Sequence, residues 1–258
     1  MGLWAVEACS FSDEDLMRVL KPVMRKKGVL RRRVIEKVLA SVELYWPYDI
    51  VSFRFSLSEG SSGIGKTAVN LVSAGLAEGL KELILSMKPS YVREELRRGP
   101  LPPQALAPKP MTRGLQVVER LAGLLDELAA PRERMRKVLL RAGKELLSPA
   151  RRLLLPPIEA MHTMKQLDHA YAKIEALLRG LNVHLGLDAD AKLEALEPVE
   201  QEGPLYFPSL VVRLSGPSGD ERRLVLDLSG PRPELDIELS YLCTMGPLKD
   251  FLDELLTI

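Results

Sequence analysis

Two stretches of the chain repeat one order of features. The first opens at residues 45–47 (Tyr-Trp-Pro) and the second at residues 206–208 (Tyr-Phe-Pro). Each continues through a strand-like segment containing Ser and Arg, reaches a break rich in Gly and Ser, and returns through a second apolar run. In the second copy, residues 216–223 form a hairpin turn, because alternating apolar residues flank a short polar spacing. The repeat predicts two related antiparallel β-hairpins, near residues 45–74 and 205–230.

The break in the first copy contains the octapeptide GSSGIGKT, residues 60–67, which fits the pattern G-x-x-x-x-G-K-[ST] at every required position. In a phosphate loop, the glycines let backbone N–H groups turn toward the phosphates, the Lys adds positive charge and the Thr hydroxyl reaches Mg²⁺. By analogy with the second copy, however, residues 58–66 form a hairpin loop. Val69 and Leu71 then belong to a returning strand, and the match is coincidental.

Residues 64–90 resemble the start of a partitioning-type ATPase, in which the lysine-bearing loop opens a helix and a second strand follows. The resemblance implies ATP or GTP with Mg²⁺ as cofactor, with Lys66 on the phosphates and Thr67 on the metal ion. Asp227 would then be a distant metal partner, because it ends the apolar run 224–226. The nucleotide-binding residues of this alternative also include three glycines: Gly60, Gly63 and Gly65.

The chain departs from that ATPase pattern in two respects. The family usually carries a second Lys early in the loop, where this chain has Glu59 and Gly60. A phosphate-loop fold also needs several parallel strands alternating with helices, and the sequence between Pro89 and Pro204 contains no recognisable strand. The sequence therefore favours a protein without a cofactor, and nucleotide binding is the alternative.

The hairpin resembles a module of uncharacterised prokaryotic proteins. In that module a Tyr-aromatic-Pro box precedes a strand, a polar turn and a returning strand that ends in Asp. Asp227 holds the place of this Asp in the second copy, and Asn70 lies near it in the first. The resemblance names no activity.

The first unit, residues 1–98, combines helices with the first hairpin. Ser12 followed by three acidic residues predicts the start of a helix. Apolar spacing that includes Val34 and Val38 predicts further helix after Gly28, drifting toward strand character before residue 44. Strict alternation from residue 49 then predicts a half-buried strand.

A Pro-rich linker, residues 99–111, and a helical insertion, residues 112–203, separate the hairpins. Leucines at helical spacing predict a hairpin or small bundle of coiled-coil type. Pro131, Pro149 and Pro156 divide it into three or four helices. The acidic end of the insertion reads as a solvated linker, and its glutamates are Glu194, Glu197, Glu200 and Glu202.

The last unit, residues 204–258, contains the second hairpin, a third strand over residues 235–239 and a closing helix over residues 249–256. The predicted fold class is therefore α+β, with two related antiparallel β-hairpin elements and a long helical insertion between them. The two hairpins are expected to pack together or with the flanking helices.

The charge balance excludes a general attraction to nucleic acid or anionic membrane, because the formal net charge is +1. The dense basic cluster containing Arg31, Arg32 and Arg33 reads as a solvated turn, with a nucleic-acid contact as the alternative. An aromatic content of 5% argues against base stacking. Abundant Leu, Arg, Glu and Pro are a balance met in heat-adapted proteins.

Two cysteines, Cys9 and Cys243, are too few for a disulfide framework or a Cys-based zinc site, which fits a reduced cytoplasm. The chain opens without a secretory leader and has no apolar stretch near the roughly 20 residues that span a bilayer. His162 and His169 lie about 10 Å apart along a helix, too far to share one metal ion, and His184 has no clustered partner. No metal site or nucleophile motif is identified.

These features predict a non-enzymatic, cytoplasmic interaction or scaffold protein. Its helical region would contact a protein partner or a second copy of the chain. The alternative is a nucleotide-dependent switch, or an ATP or GTP hydrolase, at residues 60–67. Trp46 and Tyr48 are expected to pack the entrance of the first hairpin onto a helix, with an exposed interaction patch as the alternative.

Overall fold

The computed structural model describes residues 3–27, 33–92, 96–147, 158–244 and 246–255. Its strands are β1 (Trp4–Val6), β2 (Lys26–Lys27), β3 (Arg33–Val34), β4 (Lys37–Leu57), β5 (Ser62–Asn70), β6 (Met87–Lys88), β7 (Arg98–Pro100), β8 (Leu193–Ser215), β9 (Glu221–Asp227) and β10 (Glu234–Asp236). Its helices are α1 (Asp13–Val23), α2 (Ser73–Leu76), α3 (Leu80–Leu85), α4 (Gly114–Leu147), α5 (Ile158–His184), α6 (Ile237–Leu242) and α7 (Gly246–Leu255), and a 3₁₀ turn covers Pro89–Tyr91.

One large sheet organises the molecule, with the strand order β10-β9-β8-β4-β5-β6. The two central strands, β4 and β8, are 21 and 23 residues long and pair antiparallel from Lys37 opposite Ser215 to Leu57 opposite Leu193. β5 returns beside one end of β4, and β9 returns beside the opposite end of the central pair, along β8. The predicted mixed α+β class, with a long helical stretch between strands, is confirmed, and the structure shows that β4, β5, β8 and β9 share one large sheet.

The Tyr-aromatic-Pro boxes face each other in the middle of the central strand pair. Trp46 is the register partner of Phe207, and both side chains are 1% exposed. The Trp46 indole N–H donates to Ser209 Oγ at 2.7 Å. The rings of Tyr48 and Tyr91 lie 5.1 and 4.1 Å from the ring of Phe207, measured between centroids. The boxes belong to the core, so the alternative of an exposed patch at Trp46 and Tyr48 is wrong.

Helices cover the two ends of the central pair on its outer side. α1 begins after Ser12, whose side chain accepts a hydrogen bond from the backbone N–H of Asp15, as its sequence predicts. Leu20 and Met24 of α1 pack onto the β8–β9 end of the sheet. α4 and α5 cover the β4–β5 end through a larger apolar cluster, whose helical members include Val117, Val118, Leu121, Leu181 and Leu185.

The Pro-rich segment between β7 and α4 lies against the sheet. β7 pairs antiparallel with β1, and the carbonyl of Leu106 accepts from the backbone N–H of Tyr45 at 3.0 Å. Leu101 and two alanines of the segment pack on the side chains of Tyr45 and Tyr206. Because its prolines cannot donate to a sheet, the segment packs mainly through its side chains.

The helix expected after Gly28 is wrong over the described residues from 33 onward, which are extended well before the expected drift toward strand character near residue 44. Residues 33–34 form β3, and β4 begins at Lys37, so that Val38 lies opposite Leu214 of β8. Apolar residues four apart fit either a helix or a strand, and the long pairing with β8 decides between them. Residues 28–32, which include Arg31 and Arg32, lie outside the described part of the chain.

The solvated linker expected around residues 194–202 is also wrong, because this acidic stretch is the first half of β8. Glu197 lies opposite Arg54 of β4, and their side chains pair at 3.3 Å. The neighbouring Leu196 is 3% exposed and packs into the cluster under α4 and α5. Between residues 193 and 204 of this strand, Leu196 is the one buried residue, so the sequence of this stretch shows little of the alternation that indicates a strand.

Pro131 does not divide the helical region, since α4 runs through it without a break. The described part of this region holds two helices rather than three or four, and residues 148–157, with Pro149 and Pro156, lie outside it. Pro131 removes one backbone N–H from the ladder, a loss that a long helix can tolerate. The strand expected over residues 235–239 ends early, because Asp236 accepts from the N–H of Leu239 at 2.8 Å and caps α6.

Candidate functional site

The octapeptide at residues 60–67 is a tight turn followed by an extended strand. Gly60 has φ +83°, and its N–H donates to the carbonyl of Leu57 at 2.9 Å. β5 then pairs with β4 residue by residue, from Ser62 opposite Ser56 to Asn70 opposite Tyr48. The next helix, α2, is four residues long. This backbone lacks the loop-to-helix transition that directs amides at a phosphate group.

Two glycines of the motif make room for aromatic rings on the neighbouring strand. A Cβ atom at Gly65 would lie 2.4 Å from Cζ of Phe53, and one at Gly63 would lie 2.8 Å from Cζ of Phe55. Each ring belongs to the residue directly opposite its glycine in the β4–β5 pair. Aromatic rings that cover glycines across a strand pair are a known stabilising device of sheets. The glycines therefore have a structural explanation that involves no ligand.

The remaining motif residues are also engaged or exposed within the sheet. Thr67 is fully buried, and its hydroxyl donates to the backbone carbonyl of His184 at 2.9 Å. Lys66 is exposed and lies opposite Ser52. A buried hydroxyl that binds a helix carbonyl is not presented to a solvent-borne Mg²⁺ ion.

Asp227 lies at the end of β9, where its side chain contacts its own loop. It is the register partner of Ser209, which lies opposite Leu44, whereas Lys66 lies opposite Ser52. Asp227 Oδ1 accepts instead from the backbone N–H and the hydroxyl of Ser229 at 2.8 and 2.6 Å. Asp227 therefore has a hydrogen-bonding partner within the chain, and the nucleotide-binding role of Lys66, Thr67 and Asp227 stays a prediction.

The structure brings together a charged cluster that the sequence does not reveal. Lys88 of β6 donates to Asp236 Oδ1 of β10 at 2.7 Å and to Glu238 Oε2 of α6 at 2.5 Å. β6 and β10 are the two ends of the strand order, so the sheet curls until its edges meet at this point. Asp236 is only 5% exposed. His184 Nε2 lies 3.9 Å from the second oxygen of Glu238.

The protonation state of Lys88 indicates that the charged cluster has a structural role. Burial acts to lower the pKa of Lys88, but Asp236 and Glu238 together raise it above its usual value. Burial raises the pKa of Asp236, and Lys88 only partly offsets this effect. A lysine held in its charged form by two carboxylates is neither a nucleophile nor a general base. Through Lys88, Asp236 and Glu238 the cluster connects the two edges of the sheet, and through His184 it contacts the end of α5.

Other candidate groups are likewise placed without a reactive arrangement. Burial raises the pKa of the Cys243 and Cys9 thiols, which disfavours their thiolates. His162 contacts the side chain of Gln166 at 3.0 Å, and His184 Nδ1 contacts the carbonyl of Gly180 at 2.8 Å. Among the described residues, no three His, Cys, Asp or Glu side chains are grouped as metal ligands. None of the described helices is long and apolar enough to cross a bilayer.

The outer parts of α4 and α5 form a two-helix arm that extends beyond the apolar cluster on the sheet, although Leu177 and Leu178 at its base still pack against that cluster. We define the arm as residues 126–141 of α4 and 162–180 of α5. Arg132 joins the two helices, donating from Nε and Nη2 to the carboxylate of Glu175 at 2.6 and 3.1 Å. No side chain within these two ranges is buried. The apolar seam between the helices is only half-buried, and it includes Leu128, Met135, Leu139, Met164, Leu167 and Ile174.

The basic region at residues 25–33 is described only in part. Lys27 and Arg33 are backbone partners in the β2–β3 pair, and Arg25 contacts the carboxylates of Glu36 and Asp220. The described end of the cluster is therefore tied to acidic groups of the same chain, which reduces the charge available to a phosphate backbone.

Comparison with protein-family models, curated proteins and solved structures finds no significant match to this chain. The functional interpretation therefore rests on the geometry of the arm, the charged cluster and the sheet.

Proposed function

We propose that the protein is a non-enzymatic, cytoplasmic interaction scaffold, in which the folded core presents the α4–α5 arm to a protein partner. The observation that carries the proposal is the absence of any buried side chain in the arm, although an apolar seam runs along it. Two helices bury too little surface on their own to form a stable core, so such an arm gains stability when another surface covers it.

The proposal includes an internal duplication, which the sheet register supports. Asn70 lies opposite Tyr48, and Asp227 lies opposite Ser209. Tyr48 and Ser209 each stand two residues after the central aromatic residue of their box, Trp46 or Phe207. Asn70 Oδ1 accepts from the N–H of Val72 at 3.1 Å, and Asp227 Oδ1 accepts from the N–H of Ser229 at 2.8 Å. The next residues, Leu71 and Leu228, both donate to the box prolines, Pro47 and Pro208, at 2.9 and 3.1 Å.

The alignment of the two copies also extends to the helices before them. Leu20 and Leu181 each precede the central aromatic residue of their box by 26 residues, and Met24 and Leu185 each precede it by 22. All four side chains are buried against the sheet. In this alignment α1 corresponds to the last part of α5. α4 and the earlier part of α5 then have no counterpart in the first copy, so the arm is an addition to a duplicated core.

The same alignment gives Lys88 and Asp236 matching places. Lys88 lies opposite Ala68 of β5, and Asp236 lies opposite Val225 of β9, the residue that corresponds to Ala68. The ion pair between them thus joins the two copies at equivalent positions. Because the two edges of the sheet contact each other through this ion pair, the arm is the element that we propose for binding.

A shortened arm tests the proposal. Met135 and Ala172 would be joined by a four-residue Gly/Ser loop, which keeps the Arg132–Glu175 ion pair and the helix bases on the sheet. We expect a core with nearly unchanged thermal stability that no longer crosslinks in cells to the proteins captured by the full chain. The matched control is Lys66→Ala, which alters an exposed residue of β5 outside the arm and should leave capture intact. Equal capture by the shortened variant and the full chain would contradict the proposal.

A further inference from the structure

The outer face of α4 carries an apolar residue surrounded by cations. Val138 is 51% exposed, and Arg134 and Arg141 lie one turn before and one turn after it on the same face. Lys137 lies beside them, and all three cationic side chains are exposed. We call these four residues the basic patch. An apolar centre within a charged rim is the usual arrangement of a protein-binding surface.

The positive charge of the basic patch is largely uncompensated. Among the described residues, neither Arg134 nor Arg141 forms an ion pair with a carboxylate. Lys137 has one contact with Glu133, at 3.7 Å, and Glu133 also binds Arg136 at 2.9 Å. Residues 132–141 of the arm contain five Lys and Arg and one Glu. The whole arm contains eight Lys and Arg against five Asp and Glu, and this excess of positive charge is concentrated around the basic patch.

We infer that the arm binds an acidic amphipathic helix of another protein, and this inference rests on the proposed function above. The apolar side of that helix covers Val138 and the adjoining seam residue Met135. Its carboxylates pair with Arg134, Lys137 and Arg141. A third helix along the arm would give the half-buried seam the cover that two helices cannot provide.

Charge argues against a second copy as the occupant. Two arms packed together would bring their basic patches close to one another, and like charges in contact disfavour association. An acidic helix is attracted by the same field that repels a second arm.

Other anionic partners fit less well. A nucleic-acid backbone offers no apolar surface to Val138, and the arm contains one aromatic residue, Tyr171, with which bases could stack. A membrane surface requires a helix with a wide apolar face. Val138 and Leu140, the exposed apolar residues of this segment, are instead about 160° apart around the helix axis.

Site-specific photocrosslinking in cells of the source organism tests the inference. A photoreactive amino acid replaces Val138 in the full chain, and the crosslinked peptide is sequenced by mass spectrometry. We expect a segment of another protein with excess Asp and Glu and apolar residues at spacings of three and four. The yield should fall at least tenfold in Arg134→Glu/Arg141→Glu. It should be unchanged in Lys21→Glu/Lys109→Glu, which reverses two exposed charges outside the arm.

The other outcomes separate the inference from the proposed function. A crosslink to a neutral or basic segment of another protein would overturn the acidic-helix inference and leave the interaction arm standing. A crosslink to a second copy of this chain would also overturn the inference. Crosslinks confined to nucleic acid or lipid, or no crosslink above background, would overturn both. Circular dichroism of each purified variant establishes that the helices are retained.

Discussion

Lys88 and Asp236 belong to strands at opposite ends of the strand order, and their side chains meet at 2.7 Å. No backbone ladder joins β6 to β10 in the described part of the chain. The ion pair and the second bond from Lys88 to Glu238 therefore hold the curled edges together.

Removing the cation of this pair should be strongly destabilising. Lys88→Met would leave Asp236 buried without its partner, a change that typically costs about 3–5 kcal/mol of unfolding free energy. Arg54→Gln, which breaks an ion pair whose side chains are both more than half exposed, should cost less than about 1 kcal/mol. Urea unfolding of both variants measures the difference. Equal effects would show that the edge contact contributes no more than a surface pair.

The ring-over-glycine arrangement predicts that Gly65→Ala destabilises the protein. The new Cβ would overlap the Phe53 ring, and forcing extra atoms into a packed site usually costs about 1–3 kcal/mol. Gly123→Ala is the matched control, because nothing lies within 4 Å of its added Cβ and alanine favours a helix by up to about 1 kcal/mol. A neutral Gly65→Ala in thermal unfolding would contradict the packing explanation of the motif.

Glu36 makes part of the stability depend on pH. Its side chain is 1% exposed, and Arg222 donates to it from two nitrogens at 2.8 and 2.7 Å. These bonds from Arg222 are the main cause that lowers the pKa of Glu36 in the folded protein. The stabilisation by the ionised Glu36 carboxylate is therefore complete above the pKa that Glu36 has in the unfolded chain, near 4.3. It is lost as the pH falls through the lower pKa that Glu36 has in the folded protein.

Glu36→Gln should remove this contribution. At pH 7 we expect a loss of about 1.5–3 kcal/mol, the usual contribution of a charged hydrogen bond. As the pH falls below 4 toward the folded pKa of Glu36, the difference in unfolding free energy between the variant and the parent chain should shrink. A constant difference between pH 7 and pH 3 would indicate that the charge of Glu36 is not the source of the effect.

The arm and the core should respond differently to truncation of apolar side chains. Leu181→Ala removes a fully buried side chain and should cost about 2–5 kcal/mol. Leu139→Ala, in the half-buried seam of the arm, should cost less than about 1.5 kcal/mol in the isolated protein. Hydrogen exchange offers an independent measurement, in which arm amides exchange before those of the central strands. Equal protection of both regions would contradict the absence of a core in the arm.

Local signals in the sequence predicted part of this architecture. The cap at Ser12 and the alternation after residue 49 each act within a few residues, so their structural result can be read from the chain. The reversal at Gly60 was inferred from the second copy, because the octapeptide alone matches a ligand-binding pattern. The burial of Trp46 follows the preference of large aromatic residues for a core.

Long-range pairing accounts for what the sequence did not reveal. The strand at residues 37–44 and the acidic half of β8 are extended because each pairs with the other central strand, a partner more than a hundred residues away. Lys88 and Asp236 are 148 residues apart, and neither lies in a recognisable motif. Comparing equivalent positions of the two proposed copies could have brought Lys88 and Asp236 together, since each follows a strand that pairs antiparallel with a central strand.

Crosslinking by the shortened variant, with Met135 joined to Ala172, bears most directly on the interaction scaffold. The full chain and the variant are expressed at equal levels in the same cells, and crosslinked partners are quantified by mass spectrometry. We expect the partners of the full chain to be reduced at least tenfold, while the core unfolds cooperatively at nearly the same temperature. An unchanged partner set on an intact core would show that the arm is not the binding element.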